Sequence, residues 1–235
     1  METYNKLLNL KNAYAPIAKV PKRLIFLGAP GSGKGTHSEW IKERFQIAHY
    51  STGDMLRDEV AQQTELGLQA KALLAEGKLV ADEIVLGMIE TRLKSSEAAN
   101  GCILDGFPRT RAQAEGLDNI MANLGQEIDG CILFECPDEL LVKRVCGRRI
   151  HMASGRTYHI HFSPPKVEGK DDITGEDLTH RKDDNEETMA KRLKVFHEST
   201  APLKDYYDER NKLFVVASGE KSECLRDLKF MLNAL

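Results

Sequence analysis

The chain has 235 residues, with 41% hydrophobic and 29% charged side chains and a net charge of -3. That length can bury a substantial core, and the composition is that of an ordinary globular protein. Near-neutrality removes bulk electrostatics as a reason to expect nucleic acid or membrane as a partner, so any anion recognition must come from local clusters of arginine.

Residues 1–22 contain Glu2 and four lysines but no arginine and little serine. They make a poor secretory signal and a poor transit peptide, and read as an N-terminal extension packed on the core or partly disordered. No apolar run approaches the roughly 18 residues of a membrane span. The five cysteines, Cys102, Cys131, Cys136, Cys146 and Cys224, form no C-x-x-C and are odd in number. They suit a reducing compartment, and the expectation is a cytoplasmic monomer rather than a mitochondrial protein.

From residue 23 short apolar runs alternate with helical patterns. Strands are expected over 24–27, 48–51, 102–104, 130–135 and 213–217, each nearly all apolar, as strands covered on both faces should be. Helices are expected over 36–45, 53–62, 66–76 (closed by Gly77), 83–93 (with Asp82 as N-cap), 111–124 and 138–145. Others run from an Asp184 or Asn185 cap to about residue 197, then over 202–210 and 222–232. This alternation predicts an α/β fold with a doubly wound parallel sheet. The stretch 147–184 breaks it and reads as a β-rich insertion with its own turns, too long to lack a function.

Four stretches carry chemistry. Gly28-Ala29-Pro30-Gly31-Ser32-Gly33-Lys34-Gly35-Thr36 follows the first strand and opens a helix. Its glycines let backbone N–H groups crowd an anion, Lys34 adds a point charge and the helix adds its positive end. This is a P-loop whose hydroxyl is displaced by one residue, to Thr36. In Ser51-Thr52-Gly53-Asp54-Met55-Leu56-Arg57, Thr52 can hydrogen-bond a base edge and Arg57 can face a phosphate. In Asp105-Gly106-Phe107-Pro108-Arg109-Thr110 the strand ends on an acid placed to hold a metal's waters. The chain then turns at the carboxyl edge of the sheet, with Arg109 and Gln113 entering the crevice. Arg144 and Arg148, four apart, are expected to share a helix face, with Arg181 and Arg192 beyond the insertion.

These motifs, with Gly77-Lys78-Leu79-Val80, Ser154-Gly155-Arg156-Thr157-Tyr158-His159, Pro164-Pro165-Lys166-Val167-Glu168-Gly169-Lys170-Asp171-Asp172 and Arg181-Lys182-Asp183-Asp184, resemble the adenylate kinase family in its long-lid form. The resemblance covers nearly everything after the extension. It implies a P-loop NTPase-type core over 23–235, interrupted by two mobile insertions: a helical segment at 51–80 for the nucleoside monophosphate and a β-rich lid at 147–184. The implied reaction is reversible phosphoryl transfer from ATP to AMP, giving two ADP. The implied ATP site is Gly31, Ser32, Gly33, Lys34, Gly35, Thr36, Arg148, Thr157, Tyr158 and Lys221. The implied AMP site is Thr52, Arg57, Lys78, Leu79, Val80, Gly106, Phe107, Pro108, Arg109, Gln113, Arg181 and Arg192. Lys34, Arg109, Arg144, Arg148, Arg181 and Arg192 would act on the transferring group. Mg would bridge ATP oxygens, held by no protein atom directly, with Asp105 and also Asp54 bonding its waters.

In the metal-binding version of the lid, ligands sit where this chain has His151, Ser154, Asp171 and Thr174. Two hydroxyls, one imidazole and one carboxylate make a poor zinc set, so a hydrogen-bonded polar cluster without zinc is expected. Two alternatives remain open in the sequence: another donor or acceptor nucleotide, and a P-loop module that binds nucleotide without transferring phosphate. The second has no use for so many arginines together.

Overall fold

A computed structural model describes residues 22–219 and 221–234. The extension lies outside the described residues except for Lys22, which already belongs to the first strand. In chain order the elements are β1 (Lys22–Leu27), α1 (Lys34–Phe45), β2 (Ala48–Ser51), α2 (Thr52–Ala61), α3 (Glu65–Glu76), α4 (Asp82–Leu93) and a 3-10 turn (Ser96–Asn100). There follow β3 (Gly101–Asp105), α5 (Arg111–Asn123), β4 (Gly130–Glu135), α6 (Asp138–Cys146), β5 (Arg148–Ile150) and β6 (Thr157–His159). The chain continues through α7 (Glu186–Val195), a π turn (Phe196–Thr200), α8 (Leu203–Asp208), β7 (Leu213–Ala217) and α9 (Lys221–Ala234).

Five strands form one parallel sheet in the order β2-β3-β1-β4-β7. Successive strand residues point to opposite faces, and both faces are apolar, as two covering layers require. Ile25, Leu27, Cys102, Leu104, Cys131 and Leu133 pack under α2 to α5 and α8. Leu24, Phe26, Ile103, Ile132 and Phe134 pack against Ile41 of α1 and Cys224, Leu228 and Leu232 of α9. The doubly wound architecture expected from the alternation is therefore present. Because the chain leaves β1 toward β2 on one side and reaches β4 on the other, a crevice opens above the carboxyl end of β1.

Local chemistry sets the helix starts. Ser51, Thr64, Thr110 and Asn185 each accept a backbone N–H of the first turn. Asn185, not Asp184, therefore takes the cap of α7. The expected Asp82 cap is corrected: Ala81 stands at the N-cap, Asp82 is the first residue of α4, and its carboxylate is used elsewhere. The helix expected to reach about residue 197 stays α-helical only to Val195. It then widens into the π turn, closed by Ala201 N–H on Phe196 O at 2.8 Å, just before Pro202, which has no N–H to continue it.

The insertion after α6 is a two-stranded antiparallel ribbon of β5 and β6, extended by bridges Ile150–Thr179 and Lys170–Asp177. Gly155, Gly169 and Gly175 turn it with φ near +73 to +74°.

Candidate nucleotide site

The P-loop joins β1 to α1. Gly31 has φ +83°, and a Cβ there would stand 2.9 Å from Leu141 O, so the loop lies directly on α6. Lys34 Nζ donates to Gly28 O at 2.7 Å and to Ala29 O at 3.0 Å. Burial lowers the Lys34 ammonium from its ordinary value to about 8, with Asp105 pulling the other way. A buried ammonium on a glycine turn is electrostatically incomplete, and an anion corrects that.

A cleft of about 1240 Å³ spreads from this loop. It is lined by Gly31, Gly33, Lys34, Gly35 and Thr36, by Arg57, Lys78 and Leu79, by Asp105, Gly106, Pro108 and Arg109, and by Arg144, Arg148, Thr157, Tyr158, Arg181 and Arg192. A smaller slot adjoins it, lined by Thr52, Val80, Val85 and Gln113 together with Gly106 and Arg109. Two expected residues face neither cavity. Ser32 is fully buried beneath the loop, and the Phe107 ring is fully buried in the main core, where its apolar surface belongs. The side chain of Lys221 lies outside the described residues.

Within the cleft the charges are ordered. Asp54 Oδ1 accepts from Arg181 Nη2 at 2.6 Å and from Arg57 Nη1 at 3.1 Å. Asp183 Oδ2 accepts from Arg57 Nη2 and Arg192 Nη1, each at 3.2 Å. Arg148 binds the fully buried Asp184 carboxylate through Nε (2.8 Å) and Nη2. Burial opposes ionisation of Asp54 and Asp183, but the neighbouring guanidiniums outweigh it and hold both carboxyls below their ordinary values. Arg192 is pulled down to about 10, first by burial and then by other arginines. Arg181 Nε is buried without a hydrogen-bond partner. The site thus holds more positive charge than its own carboxylates satisfy.

Arg144 does not join this group. Gly147 ends α6, so Arg148 lies in β5 and the two do not share a helix face. The Arg144 guanidinium instead donates to Ser218 O at 2.8 Å and Gly219 O at 2.6 Å, beside the loop after β7. Asp54, expected near the metal's waters, spends Oδ1 on two guanidiniums. Asp105, at the end of β3, meets His49 Nε2 at 3.3 Å and lines the cleft with Thr36. A carboxylate and a hydroxyl are oxygen donors that fit Mg carrying its own water shell.

Sequence reasoning passed over three kinds of residue. Asp183 and Asp184 were read as part of the motif that carries the resemblance, and Asp184 as a possible helix cap, but neither was given the role of counter-ion to the arginines. His49 is the second of the four residues of β2, two before the carboxyl end of the strand at Ser51. Thr200 reaches Arg109 O at 2.9 Å through the π turn, which no local pattern announces.

A family model described as adenylate kinase matches residues 26–212. An adenylate kinase of Photorhabdus laumondii is 53% identical over 187 residues, which is 80% of this chain and 86% of that protein. The chain belongs to the adenylate kinase family. It is therefore an enzyme of the nucleoside monophosphate kinase class.

In this adenylate kinase family member positions 151, 154, 171 and 174 of the insertion form a hydrogen-bonded cluster. His151 Nδ1 meets Ser154 Oγ at 2.7 Å, and Nε2 meets Glu176 Oε2 and Thr174 Oγ1. Asp171 accepts Arg156 Nε at 2.8 Å and Nη2 at 2.6 Å, Tyr158 OH at 2.9 Å, and Thr174 N and Oγ1 at 2.8 and 3.0 Å. Arg156 above all holds the Asp171 carboxyl well below the usual carboxylate range. Among the described residues no group of three or more His, Cys, Asp or Glu is placed to hold a metal ion, and no helix is long and apolar enough to cross a membrane.

Proposed function

We propose that the chain transfers a phosphoryl group reversibly from ATP to AMP, giving two ADP, and thereby balances the adenine nucleotides. The observation that carries this reading is that Lys34, Arg57, Arg109, Arg148, Arg181 and Arg192 all face one cleft. A nucleotide switch needs the lysine but not five arginines.

The donor is ATP, its phosphates cradled by Gly31, Gly33, Lys34, Gly35 and Thr36, with Thr157 and Tyr158 touching it from the lid and Arg144 at the end away from the transfer. The acceptor is AMP, its phosphate met by Arg57 and Arg109 and its base received in the slot beside Thr52, Val80 and Gln113. The AMP phosphate is already ionised at neutral pH, so no general base is required. Its oxygen bonds to the γ-phosphorus as the bond to the β–γ bridging oxygen breaks, and ADP leaves on each side. Lys34 and the arginines hold charge on the group in flight and align the two nucleotides. Asp105 would hold Mg through the metal's waters, and Mg there would supply positive charge against the phosphate oxygens.

Asp54 and Asp183 hold Arg57, Arg181 and Arg192 much as phosphoryl oxygens would. Segments 51–80 and 147–184 act as lids whose closure keeps water from competing as acceptor. Both nucleotide sites are built within one chain, which supports a monomer. The five cysteines are all free, which suits the cytoplasm.

Single-turnover mixing with Mg tests the reading. Two ADP are expected for each AMP consumed, with ATP stable when AMP is withheld. ATP hydrolysis independent of AMP, or binding without turnover, would overturn it.

A further inference from the structure

Asp82 lies in the first turn of α4 yet caps nothing. Its two oxygens are spent on α5: Oδ1 accepts Gln113 Nε2 at 2.8 Å and Oδ2 accepts Thr110 Oγ1 at 3.0 Å. On its other side Gln113 Oε1 accepts the backbone N–H of Arg109 at 2.7 Å. Gln113 is 2% exposed and lines the slot that adjoins the main cleft.

A primary amide has two N–H donors and two acceptor lone pairs, and its two ends are nearly the same shape. A free glutamine can therefore turn over and present either order to a base. Here it cannot. Turned over, its oxygen would face the Asp82 carboxylate, which only accepts, and its nitrogen would face the Arg109 N–H, which only donates. Each contact would lose its hydrogen bond in a partly buried place, where that is costly. The amide keeps one oxygen lone pair and one N–H for the slot, in a fixed order.

We propose that Asp82 is the positioning residue that makes the acceptor site discriminate between purines. This rests on the reading of the slot as the AMP base site. Adenine offers an amino donor at N6 beside an acceptor at N1, which the fixed amide matches. A 6-oxopurine offers an acceptor at position 6 beside an N1–H donor, the reverse order. Such a base pairs only with the turned-over amide that Asp82 and Arg109 N–H forbid. Asparagine at position 82 can donate as well as accept, so it removes one of the two clamps.

The experiment compares kcat/KM for AMP, IMP and GMP in the wild type, Asp82→Asn and Asp82→Ser. The serine keeps a residue suited to a helix start should the asparagine variant fold poorly. The AMP-to-IMP ratio is expected to fall roughly tenfold in both variants, through lost AMP activity and gained IMP activity, without reaching unity because the Arg109 clamp remains. An equal loss with all three acceptors would reduce Asp82 to a structural role and overturn the proposal. A wild type that makes no ADP from ATP and AMP would instead overturn the proposed function, whatever the ratios.

Discussion

Arg181, at the far end of the insertion after α6, donates through Nη2 to Asp54 Oδ1, in the first turn of α2, at 2.6 Å. The two insertions that flank the cleft are therefore tied by an ion pair, seconded by Arg57 on Asp183 at 3.2 Å. Asp54 is half exposed, so solvent screens the pair and its worth is modest. Asp54→Asn is expected to cost about 0.5–1 kcal/mol in chemical denaturation, because the partners are long side chains in partial contact with water. In a double-mutant cycle with Arg181→Met the two losses should not add. Full additivity would mean that the tie contributes nothing.

Arg109 and Arg148 both line the cleft, and the proposed function gives them the same phosphates, but they should behave differently when removed. Arg109 donates to Gly106 O at 2.6 Å, and burial followed by nearby Arg57 lowers its pKa, so its charge does not favour the fold. Arg109→Met is expected to reduce kcat by about a thousandfold or more while leaving stability within about 1 kcal/mol. A variant with near-normal kcat would remove Arg109 from the mechanism.

Arg148→Ala is another matter. From sequence it is expected to spare the fold, as Arg109→Ala is. The Asp184 carboxylate it binds is fully buried, and truncation leaves that charge only Arg192 Nη1, at 3.9 Å. The expected loss is about 3–5 kcal/mol, the usual consequence of breaking a buried pair on one side. Arg148→Ala, Asp184→Asn together should recover part of the stability but not the turnover. A single variant as stable as the wild type would contradict the pairing.

Lys34 links pH to nucleotide binding. Its ammonium is held near 8 in the protein by burial, below the ordinary 10.5. Phosphates favour the charged form and raise that value. Binding of ATP near pH 8.5 is therefore expected to take up part of a proton, seen as a dependence of the calorimetric enthalpy on buffer ionisation enthalpy. Lys34→Met should abolish it. For folding the sign is opposite in feel: the unfolded chain holds this proton more tightly, so the group's contribution to stability rises with pH between about 8 and 10.5.

The lid cluster should need no metal. Prolonged chelation is expected to leave the melting temperature and turnover in restored Mg unchanged, and stoichiometric zinc in protein prepared in metal-free buffers would refute this. Asp171→Ala should instead loosen the insertion alone, because Arg156, Tyr158 and Thr174 all lose their common acceptor. Hydrogen exchange should rise across 147–184 and not in β1, β3 and β4. Because its folded pKa is depressed, the Asp171 contribution is present above the ordinary carboxyl value of 3.8 and is lost only as pH falls well below it.

The sequence by itself determined the doubly wound sheet, since runs such as Ile25-Phe26-Leu27 and Cys131-Ile132-Leu133 leave no face for water. It also determined the phosphate loop, because glycine spacing around Lys34 is a local constraint on the backbone. The four positions 151, 154, 171 and 174 were legible too, as a hydrogen-bonded polar cluster. The tertiary structure alone decided how the charges were shared. Which arginine meets which carboxylate depends on where helices end, and Gly147 separates Arg144 from Arg148 by a chain turn that residue spacing does not reveal. Asp82 is the plainest case. Its position beside a helix start suggested a cap, but only the packing of α4 against α5 brings Thr110 and Gln113 within reach. An ionised carboxylate with two strong donors at hand has no further use for backbone N–H groups that water can satisfy.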